Sequence, residues 1–109
     1  IVIFLYPDDE SQLFVKRIIG LPGESVIIED AKVYIEGVLL DEPYLKEEWT
    51  RGVGPYVFQI PEDSYLCLGD NRNNSKDARD WNNPYVKKEK IIGKAIFTYF
   101  PIDRWGVVE

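Results

Sequence analysis

Residues 13–23 read LFVKRIIGLPG, an apolar run that contains Lys16 and ends in a Gly-Leu-Pro-Gly turn. Aromatic and β-branched residues favour a strand, and glycine and proline end it. Side chains alternate along a strand, so Phe14 and Lys16 share one face while Val15 and Arg17 share the other. An amine among apolar neighbours is desolvated, which lowers a lysine pKa and lets the neutral amine accept a proton. Lys16 is therefore a candidate general base.

The Lys-Arg pair also has a simpler interpretation. In an edge strand, such a pair is commonly a solvated charge or a guard against pairing with another strand. The segment alone does not decide between the two interpretations, so a second chemical element is needed elsewhere in the chain.

Composition narrows the class of protein. The chain has 109 residues, 45% hydrophobic and 14% aromatic, which is enough for one core, and we expect a single domain over 1–109. The net charge of −6 opposes attraction to phosphate groups, so no nucleic acid partner is expected. No stretch approaches the roughly 20 apolar residues of a membrane span. The chain opens on an apolar run without methionine, and we expect the gene product to continue upstream.

The absence of histidine and the presence of one cysteine, Cys67, restrict the possible chemistry. Neither an internal disulfide nor a His-based triad can form within the chain, and a zinc site lacks its usual ligands. We expect no metal and no cofactor. Cys67 lies in an apolar run, where a small buried side chain is expected.

Short apolar runs between turn signals predict an all-β fold with at most short helical turns. A hairpin is predicted around Glu36-Gly37, and the charged stretch 41–55 is predicted to be a long surface loop. The polar stretch 71–90 is predicted to be an ordered loop with one helical turn at most. The predicted strands cover residues 1–5, 12–19, 24–29, 32–36, 56–60, 64–69 and 93–100.

The second element is the segment 69–80, GDNRNNSKDARD, which follows an apolar run. Asn and Asp bond their own backbone and tolerate left-handed conformations, so a tight self-bonded loop is one interpretation. A calcium loop is excluded because Arg72 occupies the third position from Asp70, where an oxygen ligand is required, and no glutamate follows at the twelfth.

Together, the blocks 14–24 and 69–79 resemble those of bacterial type I signal peptidases, the membrane-bound Ser-Lys proteases that remove signal peptides from exported proteins. The resemblance spans nearly the whole chain, and the loop 41–55 is its least informative part. It implies a signal-peptidase-like β-barrel or sandwich core, related in outline to the self-cleaving repressors of the Ser-Lys type. The short distance between the blocks resembles the smaller Gram-positive enzymes.

The resemblance also implies roles for individual residues. Lys16 matches the general base, and Ser75 matches a serine that orients the lysine amine. The positions that match the ion pairs bracing the site are Arg17, Asp70, Asp77 and Arg79, and those that match the substrate groove are Leu13, Phe14 and Val15. The family's nucleophilic serine lies upstream of the matching region, so this chain alone is expected to be inactive.

The resemblance implies signal peptides of exported preproteins, with Ala-x-Ala-type cleavage sites, as partners. These would bind by adding an extended strand to a sheet edge. It also implies the membrane as a partner, through an anchor outside this chain, and a location on the extracytoplasmic face of the bacterial membrane. The alternative is a noncatalytic β-domain that binds peptides or a partner protein. Its binding surface would use aromatic residues that are more commonly found in cores, namely Trp49, Trp81, Trp105, Tyr44, Tyr56 and Tyr85.

Overall fold

The computed structural model describes residues 1–94 and contains nine strands and one short 3-10 helix at Lys88–Lys90. The all-β prediction is confirmed. No helix among the described residues is long and apolar enough to cross a membrane. The strands are β1 (Val2–Tyr6), β2 (Asp9–Gly20), β3 (Ser25–Glu29), β4 (Lys32–Ile35), β5 (Val38–Leu39), β6 (Tyr56–Gln59), β7 (Ser64–Leu68), β8 (Tyr85–Lys87) and β9 (Ile91–Lys94).

The first sheet has five strands in the order β8-β7-β2-β1-β9. Strand β2 is its longest member, with 12 residues, and pairs in two sections. Its residues 13–16 pair antiparallel with β1, where Val2 faces Lys16. Its later residues pair with β7, where Arg17 faces Leu68 and the register shifts between Ile18 and Gly20. Lys16 therefore lies where β2 passes from one neighbouring strand to the other.

The second sheet has four strands in the order β5-β4-β3-β6. The hairpin predicted at Glu36-Gly37 is confirmed, since Val38 pairs with Ile35 and Leu39 with Tyr34. Both turn residues have positive φ, 51° and 82°, as tight hairpin turns of this type require.

The hydrophobic core draws side chains from both sheets. Gly20 lies tightly packed between them, because a side chain there would collide with Ile60 and with Val26 of β3. Cys67 is fully buried, as predicted. The buried core side chains include Phe4, Ile28, Val33, Leu66, Leu68 and Val86.

Three sequence predictions differ from the structure or extend beyond the described residues. Part of the stretch predicted as loop, 71–90, forms strand β8, whose single buried residue, Val86, gave too weak a pattern to be recognised. The loop 41–55 contains no strand, as predicted, but it is not wholly a surface loop because Trp49 is buried. Only 93–94 of the run predicted as the last strand belongs to the described residues, where it forms the end of β9.

Candidate active site

The side chain of Lys16 is buried, with 1% relative exposure, and its Nζ lies 2.8 Å from Ser75 Oγ. These residues are 59 positions apart, so only tertiary folding brings the two candidate site residues together. The simpler interpretation, in which Lys16 is a solvated charge on an edge strand, is therefore wrong. The Phe14 ring lies on the same face of β2, with its centroid 5.5 Å from Nζ. The arrangement is a desolvated amine in contact with a hydroxyl, which is suited to proton transfer.

Strand β2 presents Lys16 beside an open backbone edge. Residues 13–16 use one edge to pair with β1, and no strand within the described part of the chain pairs with their other edge. Phe14 is buried in an aromatic cluster and stacks on Tyr6 at a centroid distance of 4.4 Å. Val15 is fully buried and Leu13 is partly exposed. Of the three groove candidates, Phe14 therefore borders the lysine amine most directly.

Ser75 reaches Lys16 because the chain turns tightly after β7. Its backbone N–H donates to the Asn71 carbonyl at 2.8 Å, and the Arg72 N–H donates to the Asp70 carbonyl at 2.9 Å. The turn starts at Gly69, where a Cβ would overlap the Ser75 side chain and lie 3.5 Å from Lys16 Nζ. Glycine is therefore required at position 69 to leave room for the serine hydroxyl.

Asp77 and Arg79 form a buried ion pair beneath this turn. The Arg79 Nε donates to Asp77 Oδ1 at 2.8 Å, and the two side chains are only 2% and 0% exposed. The Asp77 carboxylate also accepts hydrogen bonds from the backbone N–H groups of Gly69 and Arg79. One carboxylate thus fixes both the start of the turn and the segment that follows Ser75.

Arg17 and Asp70 form a second, more exposed ion pair. Two guanidinium nitrogens donate to the two carboxylate oxygens at 2.8 and 2.9 Å, with side chains 28% and 22% exposed. The hydrogen bond to Asp70 raises the pKa of Arg17, and the Arg17 guanidinium stacks 3.9 Å from the centre of the Tyr44 ring. This pair connects β2 directly to the turn that carries Ser75.

The structure adds Glu42, Arg72 and Trp49 to the site. Sequence reasoning placed none of them beside the lysine-serine pair, and it named Trp49 only as a surface residue of the alternative binding domain. Both terminal nitrogens of Arg72 donate to the Glu42 carboxylate, at 3.2 and 2.5 Å. The guanidinium lies 4.9 Å from the centre of the Trp49 ring. Burial and a hydrogen bond donated to Glu42 raise the pKa of Tyr44. The one sequence signal was an isolated tryptophan in a charged loop, which needs an apolar or cationic surface to pack against.

Further contacts tie the loop 41–55 to the turn. Asn73 Oδ1 accepts hydrogen bonds from the N–H groups of Thr50 and Arg51, while its Nδ2 donates to the Glu48 carbonyl. Arg79 Nη1 donates to the Gly52 carbonyl at 2.9 Å. The loop is therefore part of the scaffold that supports the lysine-serine pair.

Comparison with known proteins agrees with this geometry. The family described as "Signal peptidase, peptidase S26" matches residues 1–100, and the chain belongs to this family. A probable signal peptidase I of Synechocystis is 43% identical over 95 residues, which are 87% of this chain and 42% of that protein. A signal peptidase I S of Bacillus subtilis is 37% identical over 101 residues, which are 83% of this chain and 53% of that protein. The chain spans about half the length of the curated relatives it matches.

A solved structure supports the fold assignment. The crystal structure of a signal peptidase I from Enterococcus faecalis superposes with a TM-score of 0.73 at 33% sequence identity. The match covers 87% of this chain and 92% of the Enterococcus chain. The predicted signal-peptidase-like β core is therefore confirmed.

Proposed function

We propose that the protein carrying this chain is a type I signal peptidase, a Ser-Lys endopeptidase that cleaves signal peptides from exported preproteins. The observation that carries the proposal is the buried Lys16 amine in hydrogen-bond contact with Ser75. Membership of the signal peptidase family supports the same activity. In this proposal Lys16 is the general base, and Ser75 holds its amine in one orientation.

The attacking hydroxyl belongs to a segment of the protein outside this chain. The chain has four serines, and Ser11, Ser25 and Ser64 hydrogen-bond with Asp9, Gln59 and Asp63. Ser75 Oγ accepts a hydrogen bond from Lys16 Nζ, and its block resembles the one that carries the family's supporting serine, so Ser75 is assigned the orienting role. The described chain alone is therefore proposed to be inactive.

The chemistry requires a neutral amine. Burial disfavours the charged form of a lysine, so Lys16 can take the proton of the attacking hydroxyl. The serine oxygen then bonds to the scissile carbonyl carbon, and the protonated amine returns the proton to the leaving nitrogen as the peptide bond breaks. The same amine next takes a proton from water as the water oxygen attacks the acyl carbon, and it returns that proton to the serine oxygen when the ester bond breaks. Arg17, Asp70, Asp77 and Arg79 hold the two segments that carry Lys16 and Ser75.

The substrate is proposed to bind as an added strand along residues 13–16, because one backbone edge of this stretch has no partner strand within residues 1–94. Phe14, with Leu13 and Val15, would border small pockets that accept alanine-sized side chains. The proposed partners are therefore signal peptides with Ala-x-Ala sites. The proposed location is the extracytoplasmic face of the bacterial membrane, reached through an anchor outside this chain.

The test uses the full-length gene product and an Ala-x-Ala peptide. Lys16→Met should abolish cleavage while the circular dichroism spectrum stays unchanged, because methionine fills the same space without a proton acceptor. The matched control is Lys32→Met, which changes an exposed lysine on β4 and should leave cleavage unchanged. Ser75→Ala should lower activity less than Lys16→Met, because it removes an orienting bond and leaves the base in place.

Two outcomes would contradict the proposal. Near-normal cleavage by the Lys16→Met variant would show that Lys16 is not the general base. Peptide binding without cleavage by the full-length wild-type protein would favour the noncatalytic β-domain.

A further inference from the structure

Glu42 is the partner of a buried guanidinium although it lies in the irregular loop 41–55. The side chains of Arg72 and Glu42 are only 1% and 7% exposed. The Glu42 carboxylate also accepts a hydrogen bond from the Tyr44 hydroxyl at 2.6 Å. A guanidinium at this depth requires a counter-charge and fixed hydrogen-bond acceptors, and Glu42 supplies both.

Arg72 connects Glu42 to the backbone of Gly69. Its Nε donates to the Gly69 carbonyl at 2.7 Å, while the Gly69 N–H donates to Asp77 at 3.0 Å. The Arg72 carbonyl in turn accepts a hydrogen bond from Arg79 at 2.9 Å. Charged side chains therefore hold both backbone groups of Gly69.

The position of Gly69 sets the position of Ser75. The two residues touch so closely that a Cβ on Gly69 would overlap the serine side chain. A shift of the Gly69 peptide would change the space available to Ser75 Oγ, which lies 2.8 Å from Lys16 Nζ.

We infer that Glu42 is a positioning residue for the lysine-serine pair, acting through Arg72 and the carbonyl of Gly69. This inference rests on the proposed function. It assigns the loop 41–55 a role in turnover, since the loop supplies the carboxylate that holds Arg72 against the turn.

The test is Glu42→Gln in the full-length protein, compared with Glu47→Gln, which makes the same change at an exposed position of the same loop. Glu42→Gln should lower kcat by about 10- to 100-fold, the effect expected of a small displacement at a catalytic site, while KM stays within about twofold. Glu47→Gln should leave both constants unchanged.

The double variant Glu42→Gln/Arg72→Met separates positioning from stability. It removes both buried charges. Its melting temperature should therefore be higher than that of Glu42→Gln and closer to that of the wild type. The kcat should stay low, because no guanidinium remains to hold the Gly69 carbonyl. If Glu42→Gln does not fold, the double variant and Glu42→Asp provide the same comparison.

Two results would overturn the inference while leaving the proposed function intact. One is wild-type kcat for Glu42→Gln in a protein that Lys16→Met inactivates. The other is recovery of kcat together with the melting temperature in the double variant, which would make Glu42 a stabilising residue only. Failure of the wild-type protein to cleave would instead contradict the proposed function.

Discussion

Gly69→Ala should disable the site through steric overlap alone. The new Cβ would overlap both Oγ and Cβ of Ser75, so the serine must move away from Lys16. The φ of Gly69 lies outside the left-handed region, so alanine would not incur the strain of a left-handed backbone. A displacement of about 1 Å at a catalytic site costs about 100-fold in rate, equivalent to about 2.7 kcal/mol of transition-state stabilisation.

The assay is steady-state cleavage of an Ala-x-Ala peptide by the full-length protein. The matched control is Gly93→Ala in β9, where a Cβ would meet no atom of the described chain within 4 Å. Gly93→Ala should retain wild-type kcat, whereas Gly69→Ala should lose about 100-fold.

The same substitution made in a Ser75→Gly protein tests whether the collision with Ser75 causes the loss of kcat. In a Ser75→Gly protein the overlapping atoms are absent, and the distance of 3.5 Å from the new Cβ to Lys16 Nζ is an ordinary van der Waals contact. Adding Gly69→Ala to Ser75→Gly should therefore cost less than about threefold, because neighbouring substitutions are not additive when they share one collision. An equal loss in both backgrounds, or full activity of Gly69→Ala, would refute the steric argument.

Two further predictions concern stability, both measured by urea denaturation. Asp77→Asn should lower the free energy of unfolding by about 3 kcal/mol or more, because it leaves the buried Arg79 without its counter-charge. Asp70→Asn should lower the same free energy by about 1 kcal/mol or less, because the pair of Asp70 with Arg17 is partly exposed and screened by water. Equal losses would show that burial does not set the strength of these pairs. Burial raises the pKa of the Cys67 thiol to about 12 from an ordinary value of 9.0. As the pH rises, the thiol ionises first in the unfolded state. The contribution of Cys67 to the free energy of unfolding should therefore be complete below pH 9 and lost between about pH 9 and 12. A contribution that stays constant across that range would contradict the raised pKa of Cys67.

The strands with strong local patterns were predictable. Short apolar runs between turn signals predicted β2 and β3, and Glu36-Gly37 predicted a hairpin whose two turn residues have positive φ. Strand β8 was missed because a strand of three residues with one buried side chain carries little periodicity. Local propensity predicts an element only where several residues repeat the same preference.

The lysine in an apolar run could be recognised as chemically unusual, and resemblance to a known family suggested that Ser75 orients it. The residues that support the lysine-serine pair could not be predicted in the same way. Glu42 and Trp49 lie in a charged loop. The isolated tryptophan indicates only that some surface covers it, and nothing local identifies Arg72 as that surface or Glu42 as the partner of Arg72.

The sequence by itself determined that the chain is β-rich, where most of its strands and turns fall, and that Lys16 lies among apolar neighbours. These properties depend on residues close together in the chain. Only the tertiary structure decided that Lys16 is buried, that its amine meets Ser75, and that Glu42 anchors Arg72 behind Gly69. These contacts join segments 30 to 59 residues apart, and their existence depends on strand pairing and burial that no local pattern specifies.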